Sequence, residues 1–295
     1  PITYILANGG KRLRPLLALL TYQAYQPDPE KIIKAALALE VFHNFTLMHD
    51  DIMDNAPLRR GQETVHKKWN DNVAILSGDV MFVKAYDLLL SVDAALLPRV
   101  IARFNQCATG VCEGQQIDMN FEQEENVSES DYIDMIRKKT AVLIGFSLEL
   151  GAILAGAPEA DQKRWRNFGE KIGIGFQLKD DWLDVYADSS KFGKLVGGDI
   201  AANKKTYLLI KALEMAQGED KTSLLDWLNR KQFTVEEKVL AVMEIYDRLN
   251  IKSLAAKKMN LFFNSAFADL EQLSVKNEAV ELLKEFSHNL INREK

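Results

Sequence analysis

Between Glu30 and Pro57 the chain carries neither proline nor glycine. These two residues end helices most readily, so a stretch this long without them constrains the fold strongly. Within it Ile33, Leu37, Val41 and Phe45 recur every fourth residue, which is the spacing of one face of an α-helix. The spacing predicts a helix that starts at Glu30 and runs through Asp50, Asp51 and Asp54. The whole chain is equally poor in breakers, with 7 prolines and 16 glycines among 295 residues. At 47% hydrophobic and 27% charged residues, it cannot be a collagen-like, disordered or glycine-rich barrel chain.

Further helices are predicted from Pro15 through Leu20, over 73–91, and after Pro98. Another runs from a start at Ser130 past Thr140 to about Ala155. The next covers 161–186, after a turn at Gly156-Ala157-Pro158. The C-terminal third reads as amphipathic helices, with Val235, Val239, Val242 and Tyr246 on one face and Val280, Leu283 and Phe286 on another. Residues 55–72, 121–130 and 191–205 read as loops. Neither strand alternation with hairpin turns nor a glycine-rich strand-to-helix unit is present. Length alone suggests about two domains. No linker divides the chain, however, so the expectation is one all-α domain over 1–295.

Lysine and arginine number 37 against 42 acidic residues, a formal charge of −5. That balance speaks against nucleic acid as a partner but permits a local basic pocket. The two cysteines, Cys107 and Cys112, read as free thiols of a reducing compartment, which implies a cytoplasmic protein. No apolar run is long enough for a transmembrane segment. The chain opens on Pro1, without an initiator Met or a signal peptide, and is expected to be preceded by further residues that complete an N-terminal helix.

Asp50-Asp51-Ile52-Met53-Asp54 places three carboxylates on one helix, Asp50 and Asp54 being roughly 6 Å apart along the axis. Such a group repels itself unless a cation sits beside it, and hard oxygen ligands suit Mg2+. Asp180-Asp181-Trp182-Leu183-Asp184 repeats the spacing. Two copies on two long helices are expected to face each other across a cavity. An EF-hand is a poor fit, because neither copy has the central glycine or terminal glutamate. Basic residues flank the clusters: Lys11, Arg14, Arg59, Arg60, Lys138, Lys139, Lys194, Lys204 and Lys205. Metal-bound carboxylates with nearby guanidinium forks match the needs of a diphosphate. His43 lies seven residues before Asp50, on the same helix face two turns away. His49 reads as structural, and Asn44 has no evident role.

The pattern resembles the trans-isoprenyl diphosphate synthases, the family of farnesyl and geranylgeranyl diphosphate synthases. The resemblance runs from Gly9-Gly10-Lys11-Arg12-Leu13-Arg14-Pro15 and Asp50–Gly61 through Gly114-Gln115-Gln116-Ile117-Asp118 and Lys139-Thr140. It continues over 176–184, Phe192-Gly193-Lys194 and Gly197-Gly198-Asp199-Ile200. It implies the isoprenoid synthase fold, about ten or more helices around a deep central cavity, and a homodimer. By resemblance, Asp50, Asp51, Asp54, Asp180 and Asp184 would hold three Mg2+ ions on an allylic diphosphate, with Asp181 supporting them through waters. Arg59, Lys139 and Lys194 would grip that diphosphate, and Lys204 would close over it. Lys11, Arg14, His43 and Arg60 would bind isopentenyl diphosphate. Thr140 and Gln177 would lie near the reacting carbons, with Gln115 in the pocket.

The implied reaction is Mg2+-dependent 1′-4 head-to-tail prenyl transfer through an allylic cation. Glycines and lysines over 191–205 suggest a loop that orders over bound diphosphate. Chain length would depend on what lies below Asp50. Thr46 is one turn below and Phe42 two turns below, on the same stripe, with Phe45 on a neighbouring face. By resemblance to family members that stop early, an aromatic five residues before the first aspartate with threonine at the fourth implies a C20 product, with C15 as the alternative. Val80, Met81 and Tyr86 are further candidate walls. A class I terpene cyclase would carry a different second motif, and a non-catalytic partner subunit a degraded one; here both clusters are complete.

Overall fold

The proline-free stretch forms helix α3 (Ile33–Met53). It starts later than expected, because Pro29 opens a separate 3₁₀ turn, Pro29–Ile32. It also ends earlier, with Asp54 as its C-cap and Asn55 in the left-handed region at φ 49. Its buried side opens with small residues, Ala35, Ala36 and Ala38, and continues with Leu39, Phe42 and Met48. Of the predicted stripe, Ile33 (43%) and Leu37 (45%) face outward, whereas Val41 and Phe45 are half-buried against the core. Small residues let α5 (Asp71–Leu89) and α2 (Leu13–Gln23) pack closely along α3.

The computed structural model describes residues 1–187 and 197–292. Helices dominate, and the described residues group into two compact units. The first comprises Pro1–Thr109, Leu143–Gly169 and Gln272–Leu283. Its centre is α8 (Val142–Leu154), in which every residue from Leu143 to Ile153 is buried, as expected of a helix apolar on all sides. Gly151 belongs there because a Cβ would stand 2.2 Å from the Ala18 carbonyl oxygen on α2.

Loop 55–72 holds a two-stranded antiparallel hairpin, Leu58–Arg59 with Gln62–Glu63, too short to leave an alternation in the sequence. Its turn residues Arg60 (φ 54) and Gly61 (φ 77) both have positive φ, as a two-residue hairpin turn requires. The hairpin thereby fixes Arg59 and Arg60 just after the first aspartate cluster.

The second unit comprises Gly110–Val142, Glu170–Glu271 and the C-terminal segment from Lys284. Its core joins Val185, Ile200, Leu208, Leu209, Val239, Val242, Ile245 and Tyr246; Val235, by contrast, is 41% exposed. The helix predicted from Ser130 is instead capped by Ser128, which forms a capping box with Asp131. After α7 (Glu129–Ile136) the ladder widens into a π-helical segment, Arg137–Ala141, before α8 begins. π segments are rare and recur at functional sites; this one carries Lys138, Lys139 and Thr140. Gly114 accommodates it, since a Cβ would meet the Lys139 backbone nitrogen at 2.2 Å.

Candidate functional site

In the first unit the three aspartates of α3 have different surroundings. Asp51 points inward and is 2% exposed, whereas Asp54 is exposed. Arg59 reaches back from the hairpin: its Nε donates to Asp51 Oδ1 at 2.7 Å and its Nη2 to Asp50 Oδ2 at 3.3 Å. Burial pushes the Asp51 carboxyl up to about 6; Arg59 opposes that, while Asp50 and Asp54 add to it.

Beside this acidic group lies a basic pocket around His43. Burial, and then the charges of Arg14, Arg60, Arg59 and Arg12, hold its imidazole well below its usual pKa, so it is neutral. Arg14 is itself pushed down to about 10 by burial, and its Nε has no hydrogen-bond partner among the described residues. Arg60 is braced by the glycine pair: its Nη1 donates to the Gly9 carbonyl at 2.5 Å. A side chain on Gly10 would stand 2.7 Å from that nitrogen. Lys11 is exposed at the rim. Arg12, which sequence reasoning passed over, pairs with buried Glu40 at 2.6 Å, and Asn44 Nδ2 donates to the same Glu40 oxygen at 3.1 Å. That gives Asn44 its role, as part of the frame behind the pocket. Several fixed positive charges around a neutral ring, with an unsatisfied guanidinium nitrogen, form a site for an anion.

Below Asp50, Thr46 turns its hydroxyl to the His43 carbonyl at 2.8 Å. Phe45 stacks on Phe82, with ring centres 5.0 Å apart, and Phe42 lies fully buried against Phe104 at 5.1 Å. Tyr86 completes the aromatic cluster, 5.3 Å from Phe82 and 5.0 Å from Phe104. Of the other two candidate walls, Met81 is buried but Val80 is 47% exposed and does not belong to it. Phe82 was missed because it lies far from the aspartate motif in sequence. His49, the residue read as structural, bonds to the Ile75 carbonyl at 3.1 Å and fills the space above Gly78.

In the second unit Asp181 is 3% exposed and held at both oxygens. The Tyr132 hydroxyl donates to Oδ2, and Gln177 Nε2 to Oδ1 at 3.3 Å. Burial, then the Asp199 charge, pushes this carboxyl up to about 7. Asp184 Oδ2 accepts from the Asp199 amide at 2.9 Å. Lys204 lies 3.7 Å from Asp199, and Lys139 donates to Asp118 at 2.6 Å. Gln115 Nε2 is buried without a hydrogen-bond partner among the described residues. Asp180 and Thr140 are half-buried. Lys194 and the 191–196 part of the predicted closing loop, with Gly193, lie outside the described residues. Asp118 and Asp199 stand inside recognisable motifs and could have been singled out. Nothing in the sequence pointed to Tyr132.

Among the described residues no three carboxylate, imidazole or thiolate groups stand close enough to enclose a metal ion. The donors are nevertheless hard oxygens in groups that repel one another. That suits Mg2+, which keeps waters and takes ligands from substrate phosphates instead of an all-protein cage.

The sequence profile of the polyprenyl synthetase family matches residues 1–246. A short chain isoprenyl diphosphate synthase of Methanothermobacter thermautotrophicus is 40% identical over 247 residues, 83% of this chain and 75% of that one. A geranylgeranyl diphosphate synthase of Methanosarcina mazei is 37% identical over 99% of this chain and 88% of its own. A crystal structure of a geranylgeranyl pyrophosphate synthase superposes with a TM-score of 0.94 at 42% identity, covering 100% of this chain and 91% of that one.

Proposed function

The chain belongs to the polyprenyl synthetase family and is a prenyltransferase acting on isoprenoid diphosphates; from that premise we propose that it elongates an allylic diphosphate with isopentenyl diphosphate, head-to-tail, to geranylgeranyl diphosphate. The observation that carries the reading lies within the first unit. A basic pocket able to hold an anion unaided adjoins a carboxylate group that can hold one only through cations. Two differently equipped anion sites suit two diphosphate substrates.

Asp50, Asp51 and Asp54 are proposed Mg2+ ligands, as are Asp180 and Asp184, with Asp181 supporting the second cluster through waters. Three ions are expected when diphosphate is bound, and they supply the positive charge that a departing diphosphate needs. Arg59, Lys139, Lys194 and Lys204 hold the allylic diphosphate by charge-assisted hydrogen bonds. Arg59, which bonds Asp51 and Asp50 in this structure, would be free for the diphosphate once cations neutralised those carboxylates. Lys11, Arg14 and Arg60 hold isopentenyl diphosphate, and neutral His43 donates a hydrogen bond to it. The allylic C–O bond breaks with its electrons leaving on diphosphate. The isopentenyl double bond then forms the new C–C bond, and the proton lost passes to the released diphosphate. Thr140 and Gln177 are the residues proposed to lie near the reacting carbons, with Gln115 in the pocket, and no protein nucleophile is required.

For the product, small Thr46 above the stacked Phe45 and Phe82 favours C20, and two of the similar proteins are geranylgeranyl diphosphate synthases. Farnesyl diphosphate is the alternative. The homodimer is supported by exposed apolar residues on adjoining α3 and α5: Ile33, Leu37, Leu76, Val80 and Val83. No helix among the described residues is long and apolar enough to cross a membrane. The two free cysteines favour the cytoplasm. Incubation with labelled isopentenyl diphosphate, an allylic primer and Mg2+, then product chromatography, tests the reading. Growth of the primer by five-carbon units, abolished by chelation, is expected. A cyclised hydrocarbon or an inert protein would overturn it.

A further inference from the structure

We propose that Lys238, far in sequence from either aspartate motif, is a positioning residue that sets the segment presenting Asp199 and Lys204. Lys238 is 1% exposed and sits in the first turns of the helix Val235–Arg248, where the helix dipole disfavours a cation. Its Nζ donates to the Ala201 carbonyl at 3.1 Å and to Asn203 Oδ1 at 2.5 Å, and it lies 4.4 Å above the Phe233 ring. Burying a lysine is costly unless its ammonium is hydrogen-bonded, and both of its bonds go to one short stretch.

That stretch is built to be held. Gly197 (φ 87) leads into the single turn Gly198–Ala201, and Asn203 (φ 56) leads out of it into Lys204. The entrance is fixed on the second aspartate motif: the Gly197 amide donates to the Asp184 carbonyl at 2.6 Å and the Asp199 amide to Asp184 Oδ2 at 2.9 Å. Gly197 also lies against Val239, the neighbour of Lys238, where a Cβ would meet Val239 Cγ1 at 2.6 Å. The exit is fixed by Lys238 and by Asn203 Nδ2 donating to the Leu228 carbonyl at 2.9 Å. Lys204 follows Asn203 directly, so the direction of its exposed side chain depends on the left-handed Asn203, which Lys238 holds. The two hydrogen bonds of Lys238 go to Ala201 and Asn203, so its role is to act through Asp199 and Lys204.

The proposal rests on the diphosphate role of Lys204, and a double-mutant cycle separates the two. Steady-state kinetics are measured for wild type, Lys204→Met, Lys238→Met and the double variant. Lys238→Met keeps the stem volume and removes the donor. A catalytic group misplaced by about 1 Å loses up to about a hundredfold in rate, so a fall in kcat of about tenfold or more is expected. The double variant should be within about twofold of Lys204→Met, because the two changes remove one function. Multiplying effects, or an unchanged kcat in Lys238→Met, would overturn the positioning role. An unchanged Lys204→Met would instead sink the Lys204 reading and the proposal with it. Asn203→Gly provides a second route should Lys238→Met not fold. It keeps the left-handed backbone, removes the acceptor, and must show the same non-additivity with Lys204→Met.

Discussion

Asp51 is harder to ionise in the folded protein than in the unfolded chain, its carboxyl being pushed up to about 6. A raised carboxyl contributes stability that is full below the unfolded value of about 3.9 and is lost as pH rises through the folded one. If Asp51 is a Mg2+ ligand as proposed, cation binding requires its ionised form, and protons and Mg2+ compete there. The Mg2+ concentration for half-maximal activity should therefore climb by up to about tenfold per pH unit below pH 6 and be flat above about pH 7, as Mg2+ titrations in several buffers would reveal. Phe45 offers a second test at this scale. Its ring stacks on Phe82, and Phe45→Ala is expected to shift the product to longer chains, read by chromatography. The aspartate pattern stood out in the sequence as a candidate cation site because its spacing repeats. That Asp51 alone turns inward was not, because the helix could be oriented only once its packed face was known.

Gly114 and the π segment show what an element does for chemistry. A methyl on Gly114 would overlap the backbone at Lys138 and Lys139, which no flexible side chain can relieve. Gly114→Ala should cost about 3 kcal/mol in a denaturant or thermal melt, and should lower kcat as Lys139 moves. Gly110→Ala is the control: its Cβ meets only Val142 at 3.6 Å, so it should be neutral or stabilise by up to about 1 kcal/mol. Helix existence was legible here from periodicity and scarce breakers, but the widened turn was not. A π segment leaves no composition signal; it exists because Gly114 lets another backbone approach. The same limit explains the first turns of α3, where Ile33 and Leu37 suggested a core face but are exposed while Ala35, Ala36 and Ala38 lie buried. Close helix packing selects small residues, and size-weighted patterns then point to the wrong side.

At the scale of the whole molecule, the outward stripe of α3 and α5 predicts self-association. Val83 is 58% exposed, and Val83→Asp should shift the protein toward monomer in sedimentation equilibrium while leaving its helix content unchanged. Two proposed anion sites differ in kind, one made of cations on the chain and one that would need Mg2+. Calorimetric titration of isopentenyl diphosphate, with chelator and then with Mg2+, tests this most directly. The account predicts binding of similar affinity in both, weakened about tenfold or more by Arg14→Gln through loss of a charge-assisted bond. Binding that vanishes with chelator, or that ignores Arg14→Gln, would contradict it.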